Sequence, residues 1–269
     1  MKLKLRPVAI ALGAAASLFV STVSAAPINL PDTWTQLSDN SAESLINGPN
    51  STGVTTLDVG DRLRGQFNVE SLEGLSNGVT VNGPVFGGNE LTGIFDIVVL
   101  TKAGGPGAWA WTFGASGNLA TPGAAVEMYY DNTPDYTRIG CGTIAACEAT
   151  SSDGSLWAAL SSVAWTATAI TDDIVSIGTI TPPALGGGYN AALNFLVNNT
   201  GYIIDPQLCV LGPAAVCASG SLLGTGGANT PYQSFDNVDF TIRVVPEPGS
   251  LALIGGALLL LTGARRRRS

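Results

Sequence analysis

Residues 234–245, SFDNVDFTIRVV, alternate apolar and polar side chains with a period of two. Val238, Phe240, Ile242 and Val244 occupy every second position, and polar or charged residues stand between them. Successive side chains of a β-strand point to opposite faces of a sheet, so this alternation predicts a half-buried strand. A helix would spread the same residues around its circumference. The chain must therefore supply other strands for this segment to pair with.

Short segments with strand character recur along the chain, and Gly, Pro, Asn or Asp separate them. They are residues 62–69, 94–100, 108–113, 125–130, 156–160, 162–170, 174–180 and 192–197. Residues 41–48 and 154–165 also fit short helices, the first of them capped by Ser41. Roughly nine to twelve strands with few helices predict an all-β domain, built as a β-sandwich. The last strand, which begins with Phe235, Asp236, Asn237 and Val238, resembles the terminal strand of jelly-roll lectin-like domains, so we expect a jelly-roll-like sandwich.

The body of the chain is strongly acidic. Residues 27–245 hold 19 acidic side chains and 5 basic ones, a formal net charge of −14. Such a surface repels the phosphates of nucleic acids, so we expect no DNA or RNA partner. Solubility outside the cell is the favoured explanation of the charge, although the surface would also tolerate Ca²⁺ or cationic polymers.

The chain contains no histidine. A Ser-His-Asp triad, a Cys-His dyad and a histidine-ligated zinc or copper site are therefore excluded. The sequence also shows no nucleophile elbow, phosphate-binding loop or dinucleotide fingerprint. A glycosidase needs only two carboxylates, but nothing in the sequence singles out a pair. We expect a non-catalytic protein without a cofactor, and the alternative is a secreted carbohydrate-active enzyme.

Four cysteines form two local pairs, Cys141 with Cys147 and Cys209 with Cys217. An even count in a secreted chain favours disulfides over free thiols. Three connectivities are possible, and the local pairing is favoured because it closes the shortest loops. The intervening spacings are not those of a zinc ribbon, so we expect no metal at these residues.

Two aspartate-rich segments are candidate calcium loops, DVGD at residues 58–61 and DNTPDY at residues 131–136. Carboxylate oxygens suit Ca²⁺. Neither segment matches the spacing of an EF-hand loop, and Asp and Asn are also common in turns because they bond to their own backbone. The turn interpretation is favoured, and no metal site is predicted.

Aromatic side chains near the predicted loops are candidates for stacking on sugar rings. The candidate carbohydrate contacts are Tyr129, Tyr130 and Tyr136. Trp109 and Trp111 share one face of a predicted strand, and that face is more often core than a binding platform.

The N-terminal residues 1–25 have the three parts of a secretory signal peptide. Lys2, Lys4 and Arg6 precede an apolar run at residues 8–20, and small residues follow it. This order predicts export, with cleavage after Ala25 and a body domain spanning residues 26–245.

The C-terminal residues 246–269 contain three successive parts. Pro246, Glu247 and Pro248 precede an uncharged stretch at residues 249–264, and the four arginines Arg265, Arg266, Arg267 and Arg268 follow. The uncharged stretch would span roughly 24 Å as a helix, slightly less than the ~30 Å hydrocarbon core of a bilayer. The arginines should remain cytoplasmic. These features predict a transient inner-membrane anchor with the body outside.

This three-part ending resembles the PEP-CTERM sorting signal of Gram-negative bacteria. The resemblance covers about 25 residues of the 269. It implies that an exosortase recognises the Pro-Glu-Pro segment and removes the tail. It also implies a secreted or cell-surface protein that accompanies exopolysaccharide, biofilm or floc formation, with extracellular polysaccharide as a candidate partner.

Overall fold

The structure is a computed structural model that describes residues 28–82, 88–177, 187–225 and 230–245, with the backbone alone for residues 222–225. Almost all regular structure in these residues is β-strand, and one six-residue helix is present. The predicted all-β class is confirmed.

The described part of the chain contains twelve strands and the helix α1, which lies between β6 and β7. Their bounds are β1 Trp34–Ile46, β2 Arg62–Gly74, β3 Thr80–Asn82, β4 Glu90–Gly105, β5 Ala108–Ala115, β6 Val126–Asp131, α1 Ile144–Ala149, β7 Ser155–Ala169, β8 Gly187–Asn198, β9 Gln207–Cys209, β10 Gly212–Ala214, β11 Val216–Thr225 and β12 Ser234–Arg243.

The long strands form one antiparallel sheet that closes on itself like a barrel. Its circuit runs β2–β1–β12–β11–β8–β7, then through β5 and β6 to β4 and back to β2. The strands β5 and β6 follow one another in the same gap, because β6 pairs with the first halves of β4 and β7 and β5 pairs with their second halves. The predicted jelly-roll-like sandwich is not confirmed, since the strands pair around one circuit.

The alternation that predicted the last strand is confirmed in β12. Val238, Phe240 and Ile242 are buried and pack in the main core. The same inward face continues toward the start of the strand through Asp236 and Ser234, which are also buried. The interior of the barrel is therefore apolar along most of β12 and polar at its beginning.

Two segments that fitted helices are strands. Residues 41–46 belong to β1, which pairs with β2 on one side and β12 on the other. Residues 155–165 belong to β7, which pairs with β5, β6 and β8. Backbone pairing on both sides outweighs the local helical signal in each case. The strand predicted at residues 174–180 is wrong for residues 174–177, which form a turn.

Two glycines allow aromatic rings to cross between β2 and β4. Gly65 lies opposite Phe95, and Gly93 lies opposite Phe67. A Cβ atom at either glycine would overlap the facing ring. These positions require glycine because the rings lie directly over the neighbouring backbone, which brings the two strands' aromatic side chains into the core.

The two local disulfides predicted from the sequence are present. Cys141 is bonded to Cys147 with a Cα–Cα distance of 5.2 Å, and Cys209 to Cys217 with 5.3 Å. The first holds the segment before α1 against the helix, where Cys147 packs under the outer face of the sheet. The second joins the small β9–β10 hairpin to the start of β11.

No helix within the described ranges combines the length and the apolar character needed to cross a membrane. The signal peptide predicted at residues 1–25, and the sorting signal with its membrane helix predicted at residues 246–269, lie outside the described residues.

Candidate functional site

The barrel encloses a cavity of about 50 Å³. Aromatic and aliphatic side chains form most of its wall, and Glu43, Asp236 and Ser234 form a polar end. Small-molecule sites are commonly on the order of 300–1,000 Å³, so this space is too small for a substrate of ordinary size. It could hold at most a few water molecules.

Three buried carboxyl groups, Asp39, Glu43 and Asp236, are here called the interior acid group. Glu43 and Asp236 line the polar end of the cavity, and Asp39 lies four residues before Glu43 on β1. The strands β1 and β12 place them together, because Ser41 lies opposite Asp236 and Glu43 lies opposite Ser234. The Ser41 hydroxyl donates to Asp236, and the backbone N–H of Val238 donates to Asp39 over 2.9 Å.

Burial raises the pKa of every member of the interior acid group. The neighbouring Asp236 charge raises the pKa of Asp39 and Glu43 further, while the Ser41 hydroxyl opposes the rise at Asp236. One oxygen of Asp39 and one of Glu43 have no hydrogen-bond partner among the described residues. A buried carboxyl group without a cation favours its neutral form. The interior acid group therefore keeps its protons to a higher pH in the folded protein than in the unfolded chain.

Glu43 and Asp236 lie close enough that the charge of Asp236 raises the pKa of Glu43. Glycosidases separate their two carboxyl groups by about 5–9.5 Å so that a sugar ring and a water molecule fit between them. The pair is also 2% and 7% exposed, respectively. This arrangement does not suit two-carboxylate glycoside hydrolysis.

A second acidic group is neutralised by a lysine. We call Asp58, Asp61, Lys102 and Asp172 the Lys102 network. The Lys102 Nζ atom lies 2.9 Å from Asp58 Oδ1 and 2.6 Å from Asp172 Oδ2. Hydrogen bonds from Lys102 and Thr52 hold the pKa of Asp58 below its usual value despite its partial burial.

Asp61 completes the Lys102 network without contacting the lysine. It is fully buried and accepts hydrogen bonds from the backbone N–H groups of Gly48 and Asp58, each over 2.7 Å, and from the Ser51 hydroxyl. The segment 58–61 is a turn in which the Asp61 carboxylate accepts from the backbone of Asp58, while the Asp58 carboxylate binds Lys102 and Thr52 outside the turn.

A third acidic group has no cation of its own. We call Glu90, Asp131, Asp135 and Asp153 the Glu90 cluster. Its four carboxylates each bring one oxygen to a common point, and these oxygens all lie within 4.8 Å of one another. Glu90 begins β4 and pairs with Asp131 at the end of β6. Asp135 lies in the loop after β6, and Asp153 lies in the loop before β7.

The Glu90 cluster has a buried floor and an open rim. Glu90 is 7% exposed, whereas Asp135 and Asp153 face solvent. Glu90 Oε2 accepts from the backbone N–H of Tyr136 over 3.2 Å, but its buried Oε1 has no hydrogen-bond partner among the described residues. Native structures contain few such unsatisfied buried groups, so this oxygen points to a missing partner.

Mutual repulsion is substantial in this cluster. Burial raises the pKa of Glu90, and the nearby charges of Asp135 and Asp131 raise it further. Burial and the charge of Asp135 also raise the pKa of Asp153. Two like unit charges about 4 Å apart repel by about 1 kcal/mol in water and about 4 kcal/mol near a protein surface.

The five basic residues of the body all interact elsewhere. Arg62 and Arg64 pair with Asp96, and Arg64 also pairs with Glu148. Lys102 belongs to the Lys102 network, the Arg243 guanidinium lies 3.5 Å from Asp205, and the Arg138 guanidinium lies over the ring of Phe235. Since residues 27–245 contain no other lysine or arginine, the described residues supply no further basic side chain to the Glu90 cluster.

The three candidate carbohydrate contacts are each half-buried. Tyr129 donates its hydroxyl to Glu127 Oε2 over 2.8 Å, Tyr130 packs against the main core, and the Tyr136 hydroxyl is buried without a partner among the described residues. Tyr129 and Tyr130 precede Asp131 on β6, so they adjoin the Glu90 cluster in the chain. Trp111 is buried in the core as expected, and Trp109 packs against that core.

The sequence indicates only some members of the three acidic groups. It places Asp131 and Asp135 in one loop but does not connect them with Glu90 and Asp153, which come from other segments. The β4–β6 register joins Glu90 to Asp131 and is not visible in a single sequence. Asp236 did carry a signal, because extending the alternation of β12 by one step from Val238 places it inward.

Comparisons with known proteins identify no relative: no family model, no curated protein and no solved structure matches the chain. The arrangement of the described residues provides a closed barrel, a small interior cavity, and a solvent-facing group of carboxylates at one end of β4 and β6.

Proposed function

We propose that this protein is a non-catalytic extracellular component that an exosortase processes and that associates with exopolysaccharide in a biofilm or floc. The observation that carries the proposal is the ordered C-terminal sequence of Pro-Glu-Pro, an apolar stretch and four arginines. In this proposal residues 249–264 form a transient inner-membrane helix, and removal of the tail releases the body to the cell surface or medium.

The disulfides and the net charge of the body support an extracellular location. Two disulfides close loops of the barrel, and disulfides persist in oxidising compartments. A net charge of −14 over residues 27–245 favours dispersion and disfavours binding to other polyanions without a bridging cation.

The competing function is a secreted carbohydrate-active enzyme. Glu43 and Asp236, the two carboxyl groups among the described residues that line the cavity, are buried and close together. An inverting or retaining glycosidase needs a wider gap of about 5–9.5 Å with access for the sugar. This geometry favours the non-catalytic proposal over hydrolysis at that pair.

Intact-mass analysis of the released protein tests the sorting step. We expect a mature chain that begins near Ala26 and ends near the Pro-Glu-Pro segment, without the four arginines. Replacement of Pro246 and Pro248 by alanine should leave the protein in the membrane fraction. Released material that extends through Ser269 would contradict processing by an exosortase.

Co-sedimentation with the organism's own exopolysaccharide tests the matrix association. Alanine at Tyr129, Tyr130 and Tyr136 should weaken retention by about 1–3 kcal/mol if the rings stack on sugars, using base stacking as the analogue. Phenylalanine at the same positions is the matched control, since it keeps the rings. Equal retention of both variants would remove the aromatic contact, and steady release of sugars by the wild type would establish the enzyme instead.

A further inference from the structure

We infer that the Glu90 cluster is a calcium site, in which carboxylates from three segments of the chain coordinate one ion where β4 begins and β6 ends. The inference concerns a site that the proposed matrix function does not require. It begins from the convergence of Glu90, Asp131, Asp135 and Asp153, whose oxygens lie within 4.8 Å of one another.

The spacing of the oxygens fits a single Ca²⁺ ion. Calcium binds oxygen ligands at about 2.3–2.6 Å, so two oxygens on opposite sides of one ion are at most about 5 Å apart. All four carboxylates satisfy this limit. Calcium accepts six to eight oxygens in a flexible geometry, so water and second carboxylate oxygens can complete the shell.

Glu90 supplies the observation that distinguishes this group from an ordinary acidic surface. Its side chain is 93% buried, and its inner oxygen has no hydrogen-bond partner among the described residues. The other oxygen is held by the backbone N–H of Tyr136, which fixes the carboxylate at the floor of the cluster. A cation bound among the four carboxylates would give this buried carboxylate the positive partner that the described residues do not provide.

The charge balance of the body points to an external cation. All five basic residues of the body interact elsewhere, three of them with Asp96, Glu148, Asp58 and Asp172. The body therefore places four carboxylates together and provides them with no lysine or arginine. Two of the four, Asp135 and Asp153, face solvent and leave a path by which an ion can enter.

The segments that carry the ligands are positioned by regular structure and by a turn. Glu90 and Asp131 face one another in the β4–β6 ladder. Asp131 Oδ1 accepts from the backbone N–H of Thr133 over 2.9 Å, which turns the chain so that Asp135 returns toward the strand end. Asp153 enters from the loop that leads into β7, beside β6.

Isothermal titration calorimetry with CaCl₂ tests the inference on the native protein in the form its cells produce, after removal of divalent ions with EDTA. We expect one saturable site with a dissociation constant on the order of 10⁻⁴–10⁻³ M, the range of extracellular calcium modules. Asp135→Asn and Asp131→Asn should each weaken binding about tenfold or more, because ligand charge sets the affinity.

Asp172→Asn is the matched control, since it removes the same charge from the Lys102 network and should leave calcium affinity unchanged. Asp135 lies in an exposed loop, so its variant should fold even if Glu90→Gln does not, and far-ultraviolet circular dichroism checks this. The absence of a saturable site would overturn the inference. Equal affinity in the Asp135→Asn variant, or equal binding of MgCl₂, would overturn the assignment of calcium to these residues.

Discussion

Residues 58–61 and residues 131–136 are both short aspartate-rich turns, yet their carboxylates have opposite surroundings. In the first, Asp58 contacts Lys102, and Asp61 accepts from the backbone of Gly48 and Asp58. In the second, Asp131 and Asp135 meet Glu90 and Asp153, and the Thr133 hydroxyl and nearby backbone N–H groups donate to these carboxylates, with no basic side chain of the described residues beside them. The first turn is complete without a ligand, whereas the second brings together charge that the chain does not balance.

This comparison shows that an acidic turn acquires its role from distant residues. The amino group that neutralises Asp58 belongs to β4, and the carboxylate that makes the second turn a candidate ion site begins the same strand. The strand β4 therefore provides a cation near one end of its length and an additional anion at the other. Three variants test this contrast, and a fourth tests the interior acid group.

Removal of the Asp61 carboxylate should have the largest effect. Asp61→Ala leaves the backbone N–H groups of Gly48 and Asp58 without their acceptor. Each buried donor left without a partner costs about 1–3 kcal/mol, so we expect the loss of both bonds to lower the free energy of unfolding by about 2–6 kcal/mol. Urea denaturation measures it, and a loss below about 1 kcal/mol would contradict the structural role assigned to this turn.

Replacement of Lys102 should make the first turn resemble the second. Lys102→Met keeps the aliphatic stem but leaves Asp58 and Asp172 without their common cation. We expect a loss of about 2 kcal/mol at pH 7, smaller than for a fully buried pair because both carboxylates retain some exposure. Arg243→Met, which breaks an exposed pair with Asp205, is the control and should change stability by less than about 1 kcal/mol.

The interior acid group predicts the pH dependence. Burial raises the pKa of Glu43 and Asp236, so the folded state holds protons that the unfolded chain releases near pH 4. Their contribution to stability is complete below about pH 4 and is lost as pH rises through the raised values. Glu43→Gln removes one of the titrating groups. The loss of stability with rising pH should therefore be smaller by about 1.4 kcal/mol for each unit by which folding raises the pKa of Glu43.

Urea denaturation at several pH values between about 4 and 8 measures that decline. Glu73→Gln on β2 makes the same chemical change outside the cavity and should follow the wild type. A Glu43→Gln profile as steep as that of the wild type would show that the raised pKa of Glu43 does not govern the pH dependence.

The apolar alternation of β12 predicted that strand from the sequence. The strand β1 was not predicted, because its buried positions do not show such an alternation. The inward positions of β1 include Asp39, Ser41 and Glu43, so its buried face shows no apolar period. The local cysteine pairs were predictable from short loop closure. Closure of the sheet could not be predicted. It depends on the pairing of β2 with β4 and of β6 with β7, and a single sequence does not show which strands pair.

The smallest effect is expected for Asp131→Asn when calcium is absent. The substitution removes one of four repelling charges and keeps an oxygen that accepts from the N–H of Thr133. The free energy of unfolding in EDTA should rise by about 1 kcal/mol or less, because water screens these partly exposed charges. Saturating calcium should reverse the order of the two proteins, because binding stabilises the wild type by mass action.

A crystal structure of the native protein grown with CaCl₂ tests the calcium site most directly. We predict one ion, visible by its anomalous scattering, between Glu90, Asp131, Asp135 and Asp153, with carboxylate oxygens at about 2.3–2.6 Å from it. The Lys102 network should hold no ion. Calcium among Asp58, Asp61 and Asp172, or four unliganded carboxylates around Glu90 in a crystal saturated with calcium, would contradict the account.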